Sequence, residues 1–245
     1  MKTLVLGHRG SMGDRPENTG SSFKKALSDG ADGIEFDVHL TKDGVPVVIH
    51  DESVDRTTDG SGLIKDMSLE EVKELRIINE NGDLTIEQIL TLEETLDISV
   101  TDSKLINIEL KQGPIMYPGM EGKVIETVKK YGIIDKVIIS SFNHYSIKMI
   151  KNICPELKCG LLYMAGLYQP WTYANQLEVE AIHPFFASIL PEIVQSCHQN
   201  RVLVNVFGAN NRNTIAKMLE INVDCIITNY PGIAVEMRDK KEAIN

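Results

Sequence analysis

The chain has 245 residues, of which 42% are hydrophobic and 24% charged, and these proportions exclude the disordered and fibrous classes of protein. Its formal net charge of −10 at pH 7 argues against a nucleic-acid-binding protein, because such proteins present a basic face to phosphates. The short apolar run before His8 fits neither a signal peptide nor a membrane span. We therefore expect a cytoplasmic protein of one domain, residues 1–245, with no nucleic-acid partner and no stable membrane association.

Apolar, β-branched runs alternate with segments of helical period along the chain, which predicts βα repeats around a mainly parallel sheet. The expected strands cover residues 3–7, 33–39, 45–50, 105–110, 136–140, 158–162, 179–183, 202–207 and 224–228. The expected helices cover residues 21–27, 69–75, 92–96, 124–131, 144–153, 190–198 and 214–219, and Ser68 with Glu71 reads as a capping box. The chain length is typical of a single (β/α)8 barrel, for which nine strands are one too many.

The third strand accounts for this surplus. Residues 41–44 are too few for a parallel crossover, so the third strand is expected to return antiparallel to the second. A two-residue or four-residue turn pairs His50 with Asp37 or with Glu35, whose side chains share one face, whereas a three-residue turn pairs it with Phe36. We expect one of the first two registers, which brings His50 to the carboxylates. The polar, glycine-rich stretch 51–66 is expected to form a long loop over the barrel mouth.

Histidine and charged side chains gather at the ends of four predicted strands. They are His8, Arg9, Glu35, Asp37, His50, Glu109 and Lys111. The carboxyl ends of barrel strands are where catalytic residues lie. A single inward carboxylate is more often part of a salt bridge, but three carboxylates with two histidines favour a metal site. Because the carboxylates offer only oxygen ligands, Mg²⁺, Ca²⁺ or Mn²⁺ is favoured over zinc or copper.

The imidazoles and cations among these residues suit the chemistry of a phosphoryl group. His8 and His50 fit acid–base catalysis because imidazole titrates near neutral pH. The alternative for each is a structural hydrogen bond at a strand end, and for His50 also a place as fourth metal ligand. Arg9 and Lys111 offer positive charge to a phosphoryl group or balance the carboxylates, and these two roles are compatible. The other histidines, His39, His144, His183 and His198, are interpreted as structural.

A series of ordered motifs spans nearly the whole chain. They are HRG at residues 8–10, PENT at 16–19, DGIEFDV at 32–38, Thr41 with DG at 43–44, HD at 50–51, DRTT at 55–58, NIE at 107–109 with Lys111, SSF at 140–142, VD at 223–224 and IIT at 226–228. In these motifs the chain closely resembles the bacterial glycerophosphodiester phosphodiesterase family, relatives of phosphatidylinositol-specific phospholipase C. So many motifs in order are far more specific than any one of them.

This resemblance implies a fold and a set of site roles. The implied fold is a TIM (β/α)8 barrel with a small hairpin and loop insertion after the second strand. The implied roles are Glu35, Asp37 and Glu109 as ligands of one divalent cation, His8 and His50 as the general acid–base pair, and Arg9 and Lys111 as phosphate contacts. The cation would be Ca²⁺ or Mg²⁺, with Mn²⁺ as a third option.

The reaction that the resemblance implies is hydrolysis of a small-molecule glycerophosphodiester to sn-glycerol 3-phosphate and an alcohol. Which histidine is the acid stays open, as does whether water or a glycerol hydroxyl is the nucleophile. No oligomeric state is implied.

Two segments depart from the usual motifs of this family. They bear on which headgroup the substrate carries and not on the catalytic reaction. FGAN at residues 207–210 stands where WTVN is usual, and Asn229 replaces the usual Asp after residues 226–228. Phe207 is either a core residue or a wall that contacts the substrate. The apolar segment 113–119 is expected to form a rim that touches the alcohol of the substrate.

Two other functions stand as alternatives. A lysophospholipase D-type activity on lysophospholipids requires an apolar slot for an acyl chain, and the sequence has no evident amphipathic membrane-binding segment. A non-catalytic barrel that only binds phosphoesters should have lost at least one of the two histidines or three carboxylates, and none is missing. We therefore expect a glycerophosphodiester hydrolase.

Overall fold

The computed structural model describes residues 2–244. Its strands are β1 (Leu4–His8), β2 (Gly33–Leu40), β3 (Pro46–Val48), β4 (Leu90–Thr91), β5 (Leu105–Leu110), β6 (Val137–Ser141), β7 (Lys158–Tyr163), β8 (Ala181–Pro184), β9 (Leu203–Phe207) and β10 (Cys225–Thr228). Its α-helices are α1 (Gly20–Ser28), α2 (Leu69–Glu74), α3 (Leu92–Ser99), α4 (Met120–Lys130), α5 (His144–Ile153), α6 (Pro170–Leu177), α7 (Pro191–Gln199), α8 (Arg212–Glu220) and α9 (Pro231–Ile244). None of the helices described over residues 2–244 has the length and apolarity needed to cross a membrane.

Eight of these strands close into a parallel ring, which confirms the predicted TIM barrel. The order around the ring is β1, β2, β5, β6, β7, β8, β9 and β10, and β10 pairs with β1 in parallel. Side chains on the outer face of the strands pack against the surrounding helices in one large apolar core. On the inner face Leu6, Cys225 and Ile227 form a smaller apolar cluster, one pleat before His8 on β1. On β1 the inner face therefore changes from apolar at Leu6 to polar at His8, whereas on β9 a polar residue, Asn205, already pairs with Cys225 of this cluster.

The sequence did not predict β4, α6 or α9. β4 pairs antiparallel with β3. With only two residues, it is too short to show the alternation of apolar and polar residues that predicts a strand. The last helix, α9, is held in part by polar contacts: its buried Arg238 pairs with Asp32, whose carboxylate also accepts a bond from the Val5 amide at 3.0 Å. Such a helix carries a weak apolar pattern, because an ion pair replaces part of the apolar contact.

The hairpin of β2 and β3 is antiparallel as predicted, but its predicted register is wrong. Val38 lies opposite Val48, which places position 50 opposite Phe36 rather than opposite Asp37 or Glu35. The Thr41 amide donates to the Val45 carbonyl at 3.1 Å, which closes a three-residue turn. Gly44 takes φ +76 in that turn, as glycine does readily. The Thr41 hydroxyl accepts the Val45 amide at 2.9 Å, and this side-chain bond fixes a turn length that apolar periodicity does not encode.

Residues 46–91, from β3 to β4, form an insertion that precedes the barrel helix α3. It has a separate apolar cluster of Val47, Ile49, Val54, Ile64, Val72, Ile77 and Ile89. The expected loop over residues 51–66 contains a short 3-10 turn at Ile64–Asp66, and the capping box of Ser68 and Glu71 is present at the start of α2. The insertion thus has an apolar core of its own, and it carries His50 to the mouth.

Candidate active site and metal centre

Neighbouring strands of the ring bring three carboxylates together at the carboxyl end of the barrel. Glu35 and Asp37 share the inner face of β2 because strand side chains alternate. Parallel pairing of β2 with β5 places Glu109 beside Asp37, and pairing with β1 places His8 beside Glu35. One oxygen from each carboxylate lies within 4.8 Å of the others, and all three residues are buried.

The hydrogen bonds of these carboxylates leave oxygens free for a cation. Glu35 Oε2 accepts the Arg9 amide at 2.9 Å, and Asp37 Oδ2 accepts the Asn18 side-chain amide at 3.0 Å. Glu35 Oε1 and Asp37 Oδ1 are buried without a hydrogen-bond partner. Buried polar atoms are rarely left unpaired, and an all-oxygen set suits a hard cation. The cluster therefore fits a divalent metal ion.

Crowding drives the pKa values of the three carboxyl groups apart. Burial, with the neighbouring charges of Asp37 and Glu109, raises the pKa of Glu35 well above its usual range. Burial outweighs the Lys111 cation and raises the pKa of Glu109 to about 7. For Asp37 burial opposes ionisation, but Arg9 and Lys111 prevail and lower its pKa to about 2. Without a cation, then, the cluster holds protons near neutral pH.

An unusual backbone conformation aims the loop after β1 at this cluster. Arg9 has φ +50, a left-handed conformation that a residue other than glycine rarely adopts. The Arg9 carbonyl is held by the Asn18 amide at 3.0 Å and the Ser22 hydroxyl at 2.9 Å. This bend turns the Arg9 amide onto Glu35, so the strain supports the geometry of the carboxylates.

The two predicted phosphate contacts lie against the carboxylates. Lys111 Nζ is 3.0 Å from Glu109 Oε1 and 3.6 Å from Asp37 Oδ1. Arg9 Nε is 3.3 Å from Asp37 Oδ2, and Arg9 Nη1 is 2.9 Å from Glu17 Oε1. Arg9 and Lys111 therefore balance the negative charge of nearby carboxylates. Their contact with a phosphate stays a prediction, and it is compatible with these ion pairs.

Each of the two predicted catalytic histidines has a partner for Nδ1. His8 Nδ1 lies 2.7 Å from Asn229 Oδ1, and His50 Nδ1 lies 2.6 Å from Asp51 Oδ1. Because both partners accept, Nδ1 carries the proton in each neutral ring and Nε2 is the basic nitrogen. His8 Nε2 is 3.9 Å from Glu35 Oε2, and burial together with the Arg9 charge lowers the pKa of His8 to about 4.

A network of charges that the sequence did not predict holds the partner of His50. Arg56 donates through Nε to Asp51 Oδ2 at 2.6 Å and through both terminal nitrogens to Glu17 at 2.8 Å. The hydrogen bonds from Arg56 lower the pKa of Asp51 most, and the hydrogen bond from His50 lowers it further, although partial burial opposes both. The motifs containing these residues were visible, but the pairing joins positions 39 residues apart. Only the fold brings them together.

One cavity of about 200 Å³ collects most of the predicted site. It is lined by His8, Arg9, Glu35, His50, Asn107, Glu109, Lys111, Phe142, Leu162, Phe207 and Ile227. Seven of the eight predicted site residues are among them, and Asp37 lies buried beside them. Among residues 2–244 the group that could hold a metal ion comprises only the three carboxylates, and His50 is not part of it.

Aromatic side chains form one wall of this cavity. The Phe142 and Phe207 rings meet edge to face with centroids 6.1 Å apart, and Phe185 packs 5.6 Å from Phe207 on the other side. Phe142 is 48% exposed, so the wall continues to the surface. In the expected rim over residues 113–119, Met116 is exposed but Tyr117 is buried and turned inward.

Comparison with known proteins agrees with this architecture. Residues 8–233 match the glycerophosphoryl diester phosphodiesterase family. A glycerophosphodiester phosphodiesterase of Caldanaerobacter subterraneus subsp. tengcongensis is 46% identical over 238 residues, which cover 97% of this chain and 98% of that protein. One from Bacillus altitudinis is 39% identical, covering 97% and 99%. The structure of an Oleispira antarctica phosphodiesterase in complex with the product sn-glycerol-3-phosphate has a TM-score of 0.87 at 28% identity, covering 97% of both chains.

Proposed function

Because the chain belongs to the glycerophosphoryl diester phosphodiesterase family, we propose that it hydrolyses glycerophosphodiesters to sn-glycerol 3-phosphate and an alcohol. The observation that carries this proposal is the buried carboxylate cluster facing two imidazoles and two cations in one cavity. We also propose that the chain is a single domain, since β10 closes the ring against β1 and α9 packs on β1.

In this proposal Glu35, Asp37 and Glu109 hold one divalent cation, Ca²⁺ or Mg²⁺, with Mn²⁺ as a third option. The unpartnered oxygens of Glu35 and Asp37 support this assignment. When bound, such an ion supplies Lewis-acid polarisation of a phosphoryl oxygen, worth several kcal/mol. Arg9 and Lys111 lie beside the cluster and contact the other phosphate oxygens, to which both can donate charge-assisted hydrogen bonds.

The partners of the two histidines support one assignment of the acid and the base. The Asn229 amide is neutral, so it fixes the His8 ring as a neutral tautomer whose Nε2 can take a proton from the nucleophile. Asp51 Oδ1 accepts from His50 Nδ1 at 2.6 Å, which leaves His50 Nε2 as the atom that can give a proton to the leaving alcohol oxygen. We therefore propose His8 as the general base and His50 as the general acid.

The size of the cavity favours a short diester over a lysophospholipid. Its volume of about 200 Å³ is below the roughly 300 Å³ at which sites for drug-sized ligands begin. Lysophospholipase D-type activity is therefore the second candidate, supported by the aromatic wall that reaches the surface.

The test is release of glycerol 3-phosphate from glycerophosphocholine, glycerophosphoethanolamine and glycerophosphoglycerol. We expect release with Mg²⁺, Ca²⁺ or Mn²⁺ and none after treatment with EDTA. Glu35→Gln, which keeps the shape of the side chain but removes its charge, serves as the matched inactive control. Absence of release from every diester, by folded protein with cation present, would contradict the proposal. Choline release from lysophosphatidylcholine alone would select the second candidate.

Phe207 is proposed to contact the alcohol part of the substrate through its ring face. Phe207→Ala is expected to raise KM for glycerophosphocholine about fivefold, because a cation on an aromatic face contributes about 1 kcal/mol at a partly exposed site. The neutral glycerophosphoglycerol should show a smaller change. Phe207→Leu, which keeps apolar bulk without the ring, should behave like Phe207→Ala toward the choline diester. Equal effects of Phe207→Ala on both substrates would show that Phe207 only packs the core.

A further inference from the structure

His50 leaves the sheet before it reaches the cavity. β3 ends at Val48, and the Ile49 amide donates to the Asp37 carbonyl at 3.2 Å. The carbonyl of His50 accepts a bond from a side chain instead, His39 Nε2 at 3.0 Å. The catalytic imidazole thus depends on a contact that is not part of a β-ladder.

His39 is a fully buried histidine on β2, two positions after Asp37 on the same inner face. A carbonyl oxygen can only accept, so Nε2 of His39 carries the proton. Its Nδ1 is then an acceptor, and the Tyr117 hydroxyl lies 2.8 Å away as donor. The two rings meet edge to face with centroids 5.4 Å apart. Both nitrogens of His39 are therefore engaged, and their directions follow from the partners.

Tyr117 is itself fixed by the loop after β5. Its amide donates to Gln112 Oε1 at 2.7 Å, and Gln112 Nε2 donates back to the Tyr117 carbonyl at 2.9 Å. Gln112 Nε2 also reaches Glu121 Oε1 on α4 at 3.1 Å. All three residues are buried, so the chain of hydrogen bonds from α4 to His50 runs through the protein interior.

We propose that His39 and Tyr117 are positioning residues for His50. Tyr117 orients His39, and His39 holds the His50 backbone while Asp51 holds the His50 ring. From the sequence alone, a structural role is predicted for His39. The inference rests on the proposed role of His50 as general acid. Small misplacements of catalytic groups are costly, since about 1 Å can lower a rate about 10²-fold.

The test compares variants that remove different hydrogen bonds of the series from Tyr117 through His39 to His50. His39→Leu, which removes both bonds, is expected to lower kcat about 30- to 100-fold with KM and Ca²⁺ affinity changed less than about twofold. His39→Gln, which can still donate to the His50 carbonyl, should recover most of the loss. Tyr117→Phe, which removes a single hydroxyl and is the variant to rely on if His39→Leu does not fold, should lower kcat about 3- to 10-fold.

A double-mutant cycle separates positioning from general stabilisation. In a His50→Ala background, His39→Leu should lower the residual rate no further, because its effect passes through the missing imidazole. Val54→Ala, which weakens the insertion core without touching the His50 carbonyl, is the control and should leave kcat unchanged. Normal kcat in both His39→Leu and Tyr117→Phe, or a full further loss in the His50→Ala background, would overturn the inference. If His50→Ala itself stays active, the proposed function of His50 and the inference fall together.

Discussion

Replacing His50 with alanine is expected to lower kcat for glycerophosphocholine by about 10²–10⁴-fold, the usual contribution of one proton transfer. The alcohol of this substrate is a poor leaving group, so it departs slowly without a proton. The ring of His50 is held by Asp51 at 2.6 Å and lines the cavity without belonging to the metal-ligating group. The measurement is single-turnover release of glycerol 3-phosphate, with cation affinity determined on the same preparation and expected to stay near that of the parent.

A substrate with an activated leaving group separates the two histidines. Nitrophenolate leaves without a proton, so His50→Ala should be far less impaired on the glycerophospho-nitrophenyl diester, whereas His8→Ala should be impaired on both diesters. His198→Ala removes a histidine that pairs with Asp224 at the opposite end of the barrel, and it should behave like the parent. Equal losses for His50→Ala on both substrates would show that His50 is not the acid.

Without divalent cations, the stability that Glu35 and Glu109 contribute to the protein is expected to fall as pH rises from about 5 to about 8. In the folded chain the pKa of Glu109 is about 7 against an ordinary 4.5, and that of Glu35 is also raised. A raised carboxyl pKa means that the folded state binds more protons than the unfolded state in this window. Stability from this source is complete below the unfolded value and is lost as pH passes the folded one. The shift of Glu109 alone corresponds to roughly 3 kcal/mol.

The measurement is thermal unfolding in EDTA and in saturating Ca²⁺ or Mg²⁺ at both ends of that pH range. A bound cation replaces the protons, so it should raise Tm more at pH 8 than at pH 5, on the order of 5–10 °C at the higher pH. Glu109→Gln removes one titrating group and should flatten the pH dependence. Two groups shift the other way: Asp37, whose pKa of about 2 places its effect below this window, and His8, whose pKa of about 4 adds stability as pH rises to about 6.5. The difference in Tm between cation and EDTA at each pH is therefore the quantity to compare. A cation effect of the same size at both pH values would contradict the expectation.

The carboxylate cluster could be predicted from sequence because it needs only two simple rules. Side chains two apart on a strand share a face, which joins Glu35 to Asp37, and closure of a parallel barrel brings Glu109 beside them. The carboxylates proposed to hold the cation can therefore be brought together from strand position alone.

The register that places His50, and the contacts that hold it, could not be predicted from strand position. A hydroxyl of Thr41 fixed the length of the turn, and with it the register of β3. The sequence predicts only a structural role for His39, because no recurrent charged residues surround it and its partners, the Tyr117 hydroxyl and the His50 carbonyl, are distant in sequence or belong to the backbone. Side-chain to backbone bonds of this kind leave no periodic signal in the sequence.

Because the insertion has an apolar core of its own, it can change in sequence during evolution separately from the barrel ring. The residues proposed as cation ligands, general base and phosphate contacts all lie on ring strands or next to them, whereas His50, the proposed acid, lies in the insertion that has its own apolar cluster. Substitutions inside that hairpin can therefore alter how readily different alcohols depart while the affinity for the ion is left as it was. Leaving-group scope and metal dependence are then separately adjustable traits, each open to selection without loss of the other.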